Sequence, residues 1–216
     1  MSESNFTGID RKRAEDDIHE FDGMAVHLLC FFNSVFDDFL LLLSQNWASP
    51  NAETYTKQLG NDMHEIVDEF SNKELGFVGG AYRAANHLLE ANGETPIKEF
   101  YYSGYHRTDY KICGTTLDNK TGMDTGAVTD ELSAFNMTMS AWYKELADLP
   151  DGIAFYDPDG ELVEVYKSSL CLFKSRVTDL VDPLIKDMNG FVDNEAHVIF
   201  TSKKKAADEI PAQNKS

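Results

Sequence analysis

Basic residues are scarce in this sequence of 216 residues, in which 19 Lys and Arg face 37 Asp and Glu and leave a formal charge of −18 at pH 7. Contacts to phosphate groups depend on Lys and Arg, and surplus carboxylates repel phosphates. The basic runs, residues 11–13 and 203–205, lie in polar terminal stretches where charges are usually solvated. We therefore expect no nucleic-acid partner and no attraction to an anionic membrane.

Cysteine is also rare, with three residues, Cys30, Cys113 and Cys171, far apart in the chain. An odd number at such spacing does not suit the disulfide frameworks that stabilise small secreted domains. Two of the three stand inside apolar runs, which is typical of small buried hydrophobic residues. The cysteines therefore indicate folding in a reducing cytoplasm.

Long apolar runs are absent, because the longest uninterrupted run is five residues, at residues 39–43, whereas about 18 are needed to span a bilayer. Residues 1–13 place no apolar stretch behind their basic cluster, as a cleavable signal peptide would. We expect no membrane insertion, and any export should follow a route that needs no cleaved signal peptide.

Aromatic residues are plentiful, with 14 Phe, 9 Tyr and 2 Trp in a chain that is 42% hydrophobic. This content argues against a disordered acidic chain. At this length roughly 70% of the surface of the unfolded chain can be buried on folding. We expect one domain, or one domain built from two similar halves.

Apolar residues recur in steps of three or four through the first half of the chain, which predicts two long amphipathic helices at about residues 12–46 and 50–92. Ser49 is suited to cap the second helix, and Pro50 suits its first position because it lacks an amide hydrogen that would need a partner. Gly93 supplies the stop. The first stripe consists of Ile18, Phe21, Ala25, Leu28, Phe32, Val35, Phe39 and Leu42.

The second half repeats the order helix, break, helix. One stripe runs from Val128 to Leu146, and the last predicts a helix over residues 162–191 that Pro183 should kink. Residues 153–166 also alternate around a turn sequence at their centre, which is equally typical of a β-hairpin. The sequence leaves the choice between helix and hairpin open.

Together these patterns predict a mainly α protein in which two antiparallel helical hairpins pack as a four-helix bundle. The expected organisation is a first hairpin at residues 12–92, a Tyr- and Gly-rich linker at 93–127, a second hairpin at 128–200 and a polar tail at 201–216. The linker should be irregular or contain short β structure, with a short strand pair as one alternative for residues 96–116.

Patterns that carry catalysis or metal binding are not found. The residue three before each His is never Glu, which argues against a di-iron bundle, and Asp68 stands where a zincin helix beginning at His64 would need its second His. Alignment of Gly160 with the invariant Gly of an EF-hand loop puts Phe155 and Tyr166 at ligand positions. We therefore predict no enzymatic activity and no catalytic, cofactor-binding or metal-binding residues.

The turn between the first two helices carries a resemblance to a known family. Trp47, Ser49, Ala52 and Tyr55 stand at and after this turn, and the arrangement resembles the WXG family of type VII secretion substrates. In that family a helical hairpin carries Trp-x-Gly at its turn, an Ala and an aromatic residue follow on the second helix, and hairpins pair into four-helix bundles. Here Trp47 matches and Ser49 replaces the glycine. The resemblance covers about residues 12–92, and a second hairpin in the same chain would supply the partner that the family recruits as a separate subunit.

The same resemblance implies a recognition role for Trp47, Ser49, Ala52 and Tyr55, although a Trp at such a turn also commonly just plugs the end of a bundle. Members of the family, and the proteins that they escort, often carry a Tyr-x-x-x-Asp/Glu export signal beyond a hairpin. Tyr105 and Asp109 have this spacing here.

The leading functional hypothesis is a non-enzymatic type VII secretion substrate or toxin escort that acts through helical-bundle interactions. It would be cytoplasmic before export and then secreted without a cleaved signal peptide. Its expected partner is a protein, either the secretion machinery or a co-secreted toxin, and homo-oligomers are a further alternative. The second hypothesis is a cytoplasmic acidic protein of the immunity or antitoxin type that neutralises a basic toxin. A third is an enzyme whose site is assembled across the linker.

Overall fold

The computed structural model of the chain describes residues 8–102, 108–168 and 170–209. They form a mainly helical protein with four helices and two small two-stranded sheets, which confirms the predicted class. The helices are α1 (Arg11–Asn46), α2 (Pro50–Ala91), α3 (Thr125–Asp148) and α4 (Leu170–Glu209). The strands are β1 (Trp47–Ala48), β2 (Gly122–Met123), β3 (Ile153–Tyr156) and β4 (Leu162–Tyr166).

The ends of α2 follow from the residues predicted to set them. Ser49 Oγ accepts a hydrogen bond from the Ala52 N–H at 2.9 Å, so Ser49 caps the helix, and Pro50 is its first residue. At the other end Gly93 adopts a φ of 74°, and the Glu94 N–H donates to the Leu89 carbonyl at 3.0 Å. Glycine adopts this left-handed conformation at little cost, and the helix therefore stops there.

Residues 153–166 form the β-hairpin and not the beginning of the last helix. Strands β3 and β4 pair antiparallel from Ile153 opposite Tyr166. The turn between them is held by Asp157, whose Oδ1 accepts hydrogen bonds from the N–H groups of Asp159 (3.0 Å) and Glu161 (2.8 Å). The helix predicted for residues 162–191 therefore begins later, at Leu170.

The linker contributes its strand in an unexpected place. Its described residues within 96–116 contain no strand, and β2 pairs instead with β1, with Trp47 opposite Met123 and Ala48 opposite Gly122. The turn chemistry expected in the linker is present between Leu117 and Lys120, where Asp118 and Asn119 have φ angles of 49° and 62°.

Helix α4 continues beyond the predicted end of the second hairpin at residue 200. It includes Pro183 and extends to Glu209, so the first part of the expected tail, residues 201–209, is helical. The sequence predicts only a polar tail after residue 200, and Lys, Ala and Glu are favourable helix formers that can prolong an existing helix. Residues 210–216 lie outside the described part of the chain.

The chain divides into two compact units that cut across the predicted hairpins. Unit 1 takes its described residues from Met1–Asn33, Glu65–Arg107 and Ser140–Asp179, and unit 2 takes them from Ser34–His64, Thr108–Met139 and Leu180–Ser216. Each of the four helices contributes to both units. The division into domains at residues 92 and 127 stays a prediction.

The core of unit 1 is centred on aromatic side chains. Phe21 of α1 lies against Phe77 of α2, with ring centroids 4.6 Å apart. Phe32 contacts Trp142 of α3 at 5.3 Å, and the Trp142 indole donates from Nε1 to the Leu28 carbonyl at 2.9 Å. Within this unit α1 therefore packs against both α2 and α3.

The core of unit 2 joins the other parts of the same helices. Phe36 and Phe39 of α1 lie 4.9 and 4.7 Å from the ring of Phe135 on α3. Asn136 of α3 and Asn189 of α4 exchange two side-chain hydrogen bonds, at 2.8 and 3.2 Å. Phe39 and Phe135 belong to the apolar stripes predicted from the sequence, whereas Phe36 lies beside the first stripe and the two Asn residues are polar.

Helix α1 contains an 18-residue window that is long and apolar enough to cross a membrane by length and composition alone. A count of uninterrupted apolar residues overlooks it, because occasional polar residues break the runs without removing the average hydropathy of the window. Half of this window is buried inside the structure. The core helix of a soluble protein passes the same test, and the absence of membrane insertion stays a prediction.

Candidate recognition site at the turn between helices one and two

Trp47 lies in β1, between the last residue of α1 and the cap of α2, and is completely buried. Its ring centroid is 5.5 Å from that of Phe191 on α4, within unit 2. Its indole Nε1 is buried, and among the described residues it has no hydrogen-bond acceptor. The side chain therefore fills the end of this unit by packing alone.

The residues that follow Trp47 on α2 differ in their exposure. Ala52 is completely buried, whereas Tyr55 is half-buried and stacks on Phe191 with centroids 3.8 Å apart and an interplanar angle of 11°. Burial, together with the nearby carboxylates of Asp187 and Asp62, raises the pKa of Tyr55 above its ordinary value, so the phenol stays neutral. We refer to Trp47, Tyr55 and Phe191 as the aromatic turn cluster.

Phe191 was part of the predicted apolar stripe of the last helix but was not expected at the site. Nothing in the sequence near Trp47 identifies it, because it approaches from a helix far along the chain. The sequence signal for Phe191 is its place in the apolar stripe of the last helix. Many core residues share such a place, so it does not single out Phe191.

A return segment, residues 108–124, holds the turn in place. The Ser49 N–H donates to the Gly114 carbonyl (3.1 Å), and the Cys113 N–H donates to Thr56 Oγ1 (3.0 Å). His64 donates through Nε2 to the carbonyl of Thr108 at 2.8 Å. Local spacing does not predict these roles of Thr56 and His64, because each side chain contacts a residue that is distant in the chain.

Cys113 is buried as expected, and burial raises the pKa of its thiol to about 11. A thiol with such a pKa is protonated at neutral pH and is a poor nucleophile. Cys30, by contrast, is exposed on α1, which corrects the interpretation of its apolar run as a buried position. The run spans more than one face of the helix, so some of its members face solvent.

Two grooves flank the aromatic turn cluster within unit 2. One has a volume of about 750 Å³ and runs beside Tyr55 and Phe191. The other, which we call the turn groove, has a volume of about 1110 Å³ and lies between the turn, the return segment and α4. Its lining includes Asn46, Ser49, Pro50, Asn51, Leu117, Lys120, Glu195 and Val198.

The turn groove offers surfaces for contact, whereas Trp47 itself does not. Leu117 and Val198 are 40% and 57% exposed, and Pro50 and Asn51 are exposed beside them. Large exposed apolar side chains beside a concave surface favour a protein ligand. Any recognition at this turn must therefore use the residues that Trp47 positions and not its indole ring.

The predicted export signal falls partly outside the described residues. Tyr105 belongs to residues 103–107, of which nothing is described, and Asp109 is exposed at the start of the return segment. The structure therefore brings Asp109 into unit 2 with the turn but does not test the pair.

A second group of polar residues, which the sequence did not reveal, lies in unit 1. Asp22 of α1 and Glu74 of α2 are both buried, and Asp22 Oδ2 accepts a hydrogen bond from the Tyr102 N–H at 2.6 Å. Burial, and then the hydrogen bond and charge of Asp22, raise the pKa of Glu74 to about 9. Glu74 is therefore protonated at neutral pH.

This buried carboxyl pair has a structural consequence for the linker. The ring of His19 lies 5.1 Å from Phe100 and 6.3 Å from Tyr102 in T-shaped contacts, and Tyr82 donates to the Phe100 carbonyl at 3.0 Å. Asp22, His19 and Tyr82 therefore hold the linker residues Phe100 and Tyr102 against the helices of unit 1.

Among the described residues no group of three His, Cys, Asp or Glu side chains is placed to hold a metal ion.

Comparison of the chain with protein-family models, with curated proteins and with solved structures finds no match. The resemblance to the WXG turn therefore depends on Trp47, Ser49, Ala52 and Tyr55 and on their geometry.

Proposed function

We propose that this chain is a non-enzymatic protein that acts by binding other proteins, as a type VII secretion substrate or as the escort of a toxin. The observation that carries the proposal is the turn between α1 and α2, where a buried Trp47 is followed by a helix that Ser49 caps. A turn of this kind between two long amphipathic helices is the feature on which the resemblance to the WXG family was based.

The proposed arrangement is a four-helix bundle of two hairpins, α1 with α2 and α3 with α4. Contacts inside each unit support it, because α1 packs on α2 and α3 in unit 1, while α3 and α4 are joined by the Asn136–Asn189 pair in unit 2. A second hairpin in the same chain would then replace the separate subunit with which WXG hairpins pair.

The proposed contact surface is the turn groove. Since Trp47 is inaccessible, a partner would read the exposed residues around it, and Leu117 and Val198 supply apolar area for this. Burial of apolar side chains at the centre of an interface, with polar residues at its rim, is the usual source of binding energy between proteins.

An export assay tests the proposal. The full-length chain should be produced in a Gram-positive host with an active type VII system, and the intact chain should accumulate in the medium. A host whose system is inactivated provides the control. Retention of the intact chain in the cytoplasm of the active host would contradict the secretion proposal.

A pair of variants separates recognition from folding. Leu117→Glu places a charge in the turn groove and should reduce export strongly, whereas Met137→Glu, at a residue that is 72% exposed in the same unit but does not line the groove, should leave export unchanged. Circular dichroism should show the same helical content for both variants. Equal export of both would contradict a role for the groove.

A second candidate function is a cytoplasmic acidic binding protein of the immunity or antitoxin type, favoured by the net charge of −18. Electrostatic steering would speed association with a basic toxin and make it sensitive to salt. Affinity capture at low salt should then recover a cationic enzyme whose activity the chain inhibits, and the captured enzyme should be released as salt is raised.

A further inference from the structure

A cleft of about 450 Å³ opens in unit 1 beside α1 and the end of α3. Its floor is apolar and is formed by Leu28 and Leu149, which are buried, with the partly exposed Met24 beside them. Gly23 lines the same face of α1 and brings no side chain into it. The cleft therefore has room and suitable surface for a flexible aliphatic chain.

The rim of this cleft is acidic. Glu20, Glu145 and Asp148 line it, and the remaining ionisable group is His27, whose Nε2 lies 3.8 Å from Glu145 Oε2. Among the described residues no Lys or Arg lines the cleft, and Glu20 and Asp148 form no ion pair. Three carboxylates above an apolar floor complement a ligand that is aliphatic along its length and cationic at its end.

The chain already holds a cation at the neighbouring end of α3. Lys174 donates through Nζ to the carbonyls of Ala147 (3.2 Å) and Leu149 and to the carboxylate of Asp151 (2.9 Å). The carboxyl end of a helix carries partial negative charge and favours a cation. Because Asp151 matches the charge of Lys174, this lysine does not neutralise the carboxylates at the rim of the cleft.

We propose that the cleft binds the side chain of an arginine or lysine on a basic segment of a partner protein. The methylene groups lie on Leu28 and Leu149, and the charged end lies among the three rim carboxylates. The inference rests on the proposed function, because it takes the ligand to be a protein, and it adds that the partner is basic. The net charge of −18 supports this, since it attracts cationic proteins over long distances.

Small analogues of the two side chains test the site in the full-length protein. n-Butylguanidinium and n-butylammonium are titrated while the methyl resonances of Met24, Leu28 and Leu149 are followed by NMR, with n-butanol as the neutral analogue. Both cations should give saturable shifts at these methyl groups and bind at least about twofold more tightly than n-butanol, the effect expected of exposed ion pairs. Added salt should reduce this difference.

Matched charge variants test whether the rim carboxylates cause the tighter binding of the two cations. Glu145→Gln with Asp148→Asn removes two rim charges and should weaken both cations about twofold to fivefold without changing n-butanol. Asp130→Asn with Glu131→Gln makes the same change in charge on α3, at residues that do not line the cleft. This pair should leave the affinities for both cations and for n-butanol unchanged.

Competition titrations distinguish a cationic side chain on a peptide from a small polyamine as the ligand of the cleft. A short Arg- and Ala-containing peptide should displace n-butylguanidinium and bind more tightly than spermidine does. Tighter binding of spermidine, equal binding of n-butanol and the cations, or equal losses in both pairs of variants would each overturn the proposal. Because none of these titrations involves export, a failure here is distinguishable from a failure of the secretion proposal.

Discussion

At the scale of single residues, the two tryptophans offer a controlled comparison. Trp47 and Trp142 are both completely buried, but Trp142 donates to the Leu28 carbonyl while Trp47 Nε1 has no acceptor within the part of the chain that the structure describes. We expect Trp47→Ala to lower the free energy of unfolding by about 3 to 5 kcal/mol and Trp47→Phe by about 1.5 kcal/mol or less. Chemical denaturation measures both.

The control for this prediction is Trp142→Phe, which removes similar ring area and also leaves the Leu28 carbonyl without its indole donor. It should cost about 1 kcal/mol more than Trp47→Phe. Equal costs for the two Phe variants would show that the hydrogen bond contributes nothing. Because the indole is completely buried, we also expect Trp47→Phe to be exported normally, and a loss of export greater than its loss of stability would contradict a recognition surface made only of exposed residues.

The buried carboxyl of Glu74 predicts a pH dependence. Its pKa is about 9 in the folded chain and 4.5 when unperturbed, so between these values the folded state holds a proton that the unfolded state has released. The free energy of unfolding should therefore fall as pH rises through this window. Glu74→Gln cannot release a proton, and its stability relative to wild type should increase from pH 5 to pH 9, an interval of about four units.

Denaturation at several pH values checks this prediction, with Glu90→Gln as the control because that side chain is exposed on the same helix. The wild-type and Glu90→Gln curves should be parallel. A Glu74→Gln curve that is also parallel to wild type would contradict the assignment of the proton to Glu74.

The residue roles that the sequence predicts are those that depend on nearby residues in the chain. The cap at Ser49 and the helix start at Pro50 are local, because each depends on backbone groups within a few residues. Nothing in the local sequence identifies Glu74 as a buried carboxyl, because its partner Asp22 lies on another helix. Roles created by tertiary neighbours are not encoded in local spacing.

At the scale of elements, two glycines one turn apart on α2 separate helix propensity from packing. A Cβ atom at Gly80 would clash with Tyr166 Oη and lie 2.8 Å from its Cζ, whereas one at Gly76 would have no atom of the other described residues within 4 Å. Gly76→Ala should therefore raise the free energy of unfolding by up to about 1 kcal/mol. Gly80→Ala should lower it by about 1 to 3 kcal/mol because the β4 residue Tyr166 must move.

Thermal or chemical denaturation of the two variants measures these effects. Tyr166→Phe removes the atom nearest to the new Cβ and should recover part of the loss in a Gly80→Ala background. Stabilisation by both substitutions would mean that the close approach of β4 to α2 imposes no cost.

The local sequence cannot distinguish a β-hairpin from a helix at residues 153–166. Leu162 and Tyr166 are four residues apart and fit a helical stripe, while the residues between them also alternate as in a strand. The long helices had no such ambiguity, because their periodicity extends over many turns. The hairpin depends on its Asp157 turn and on the packing of Tyr166 against Phe77 and Gly80.

At the scale of the whole molecule, the two predicted halves should depend on each other. Each compact unit draws residues from all four helices, so residues 1–93 or 127–216 alone lack part of both units. Expressed separately, each half should aggregate or self-associate because its apolar stripe is uncovered. Mixed together, the halves should form a helical complex that contains one copy of each.

Size-exclusion chromatography and circular dichroism of the halves, alone and mixed, check this prediction. Two halves that are each stable and monomeric would refute the fused-pair arrangement. The division into these units was not predictable, because the apolar stripes continue along each helix without a break that marks where one compact unit ends.

This division also constrains folding during synthesis. Unit 1 begins with residues before Asn33 but is complete only when residues up to Asp179 are present, and unit 2 needs Leu180 onwards. At about 5 to 20 residues per second, the ribosome takes on the order of ten seconds to make the intervening chain. Throughout this interval the apolar face of α1 has no finished unit to cover it, so the nascent chain is a substrate for chaperones until translation is nearly over.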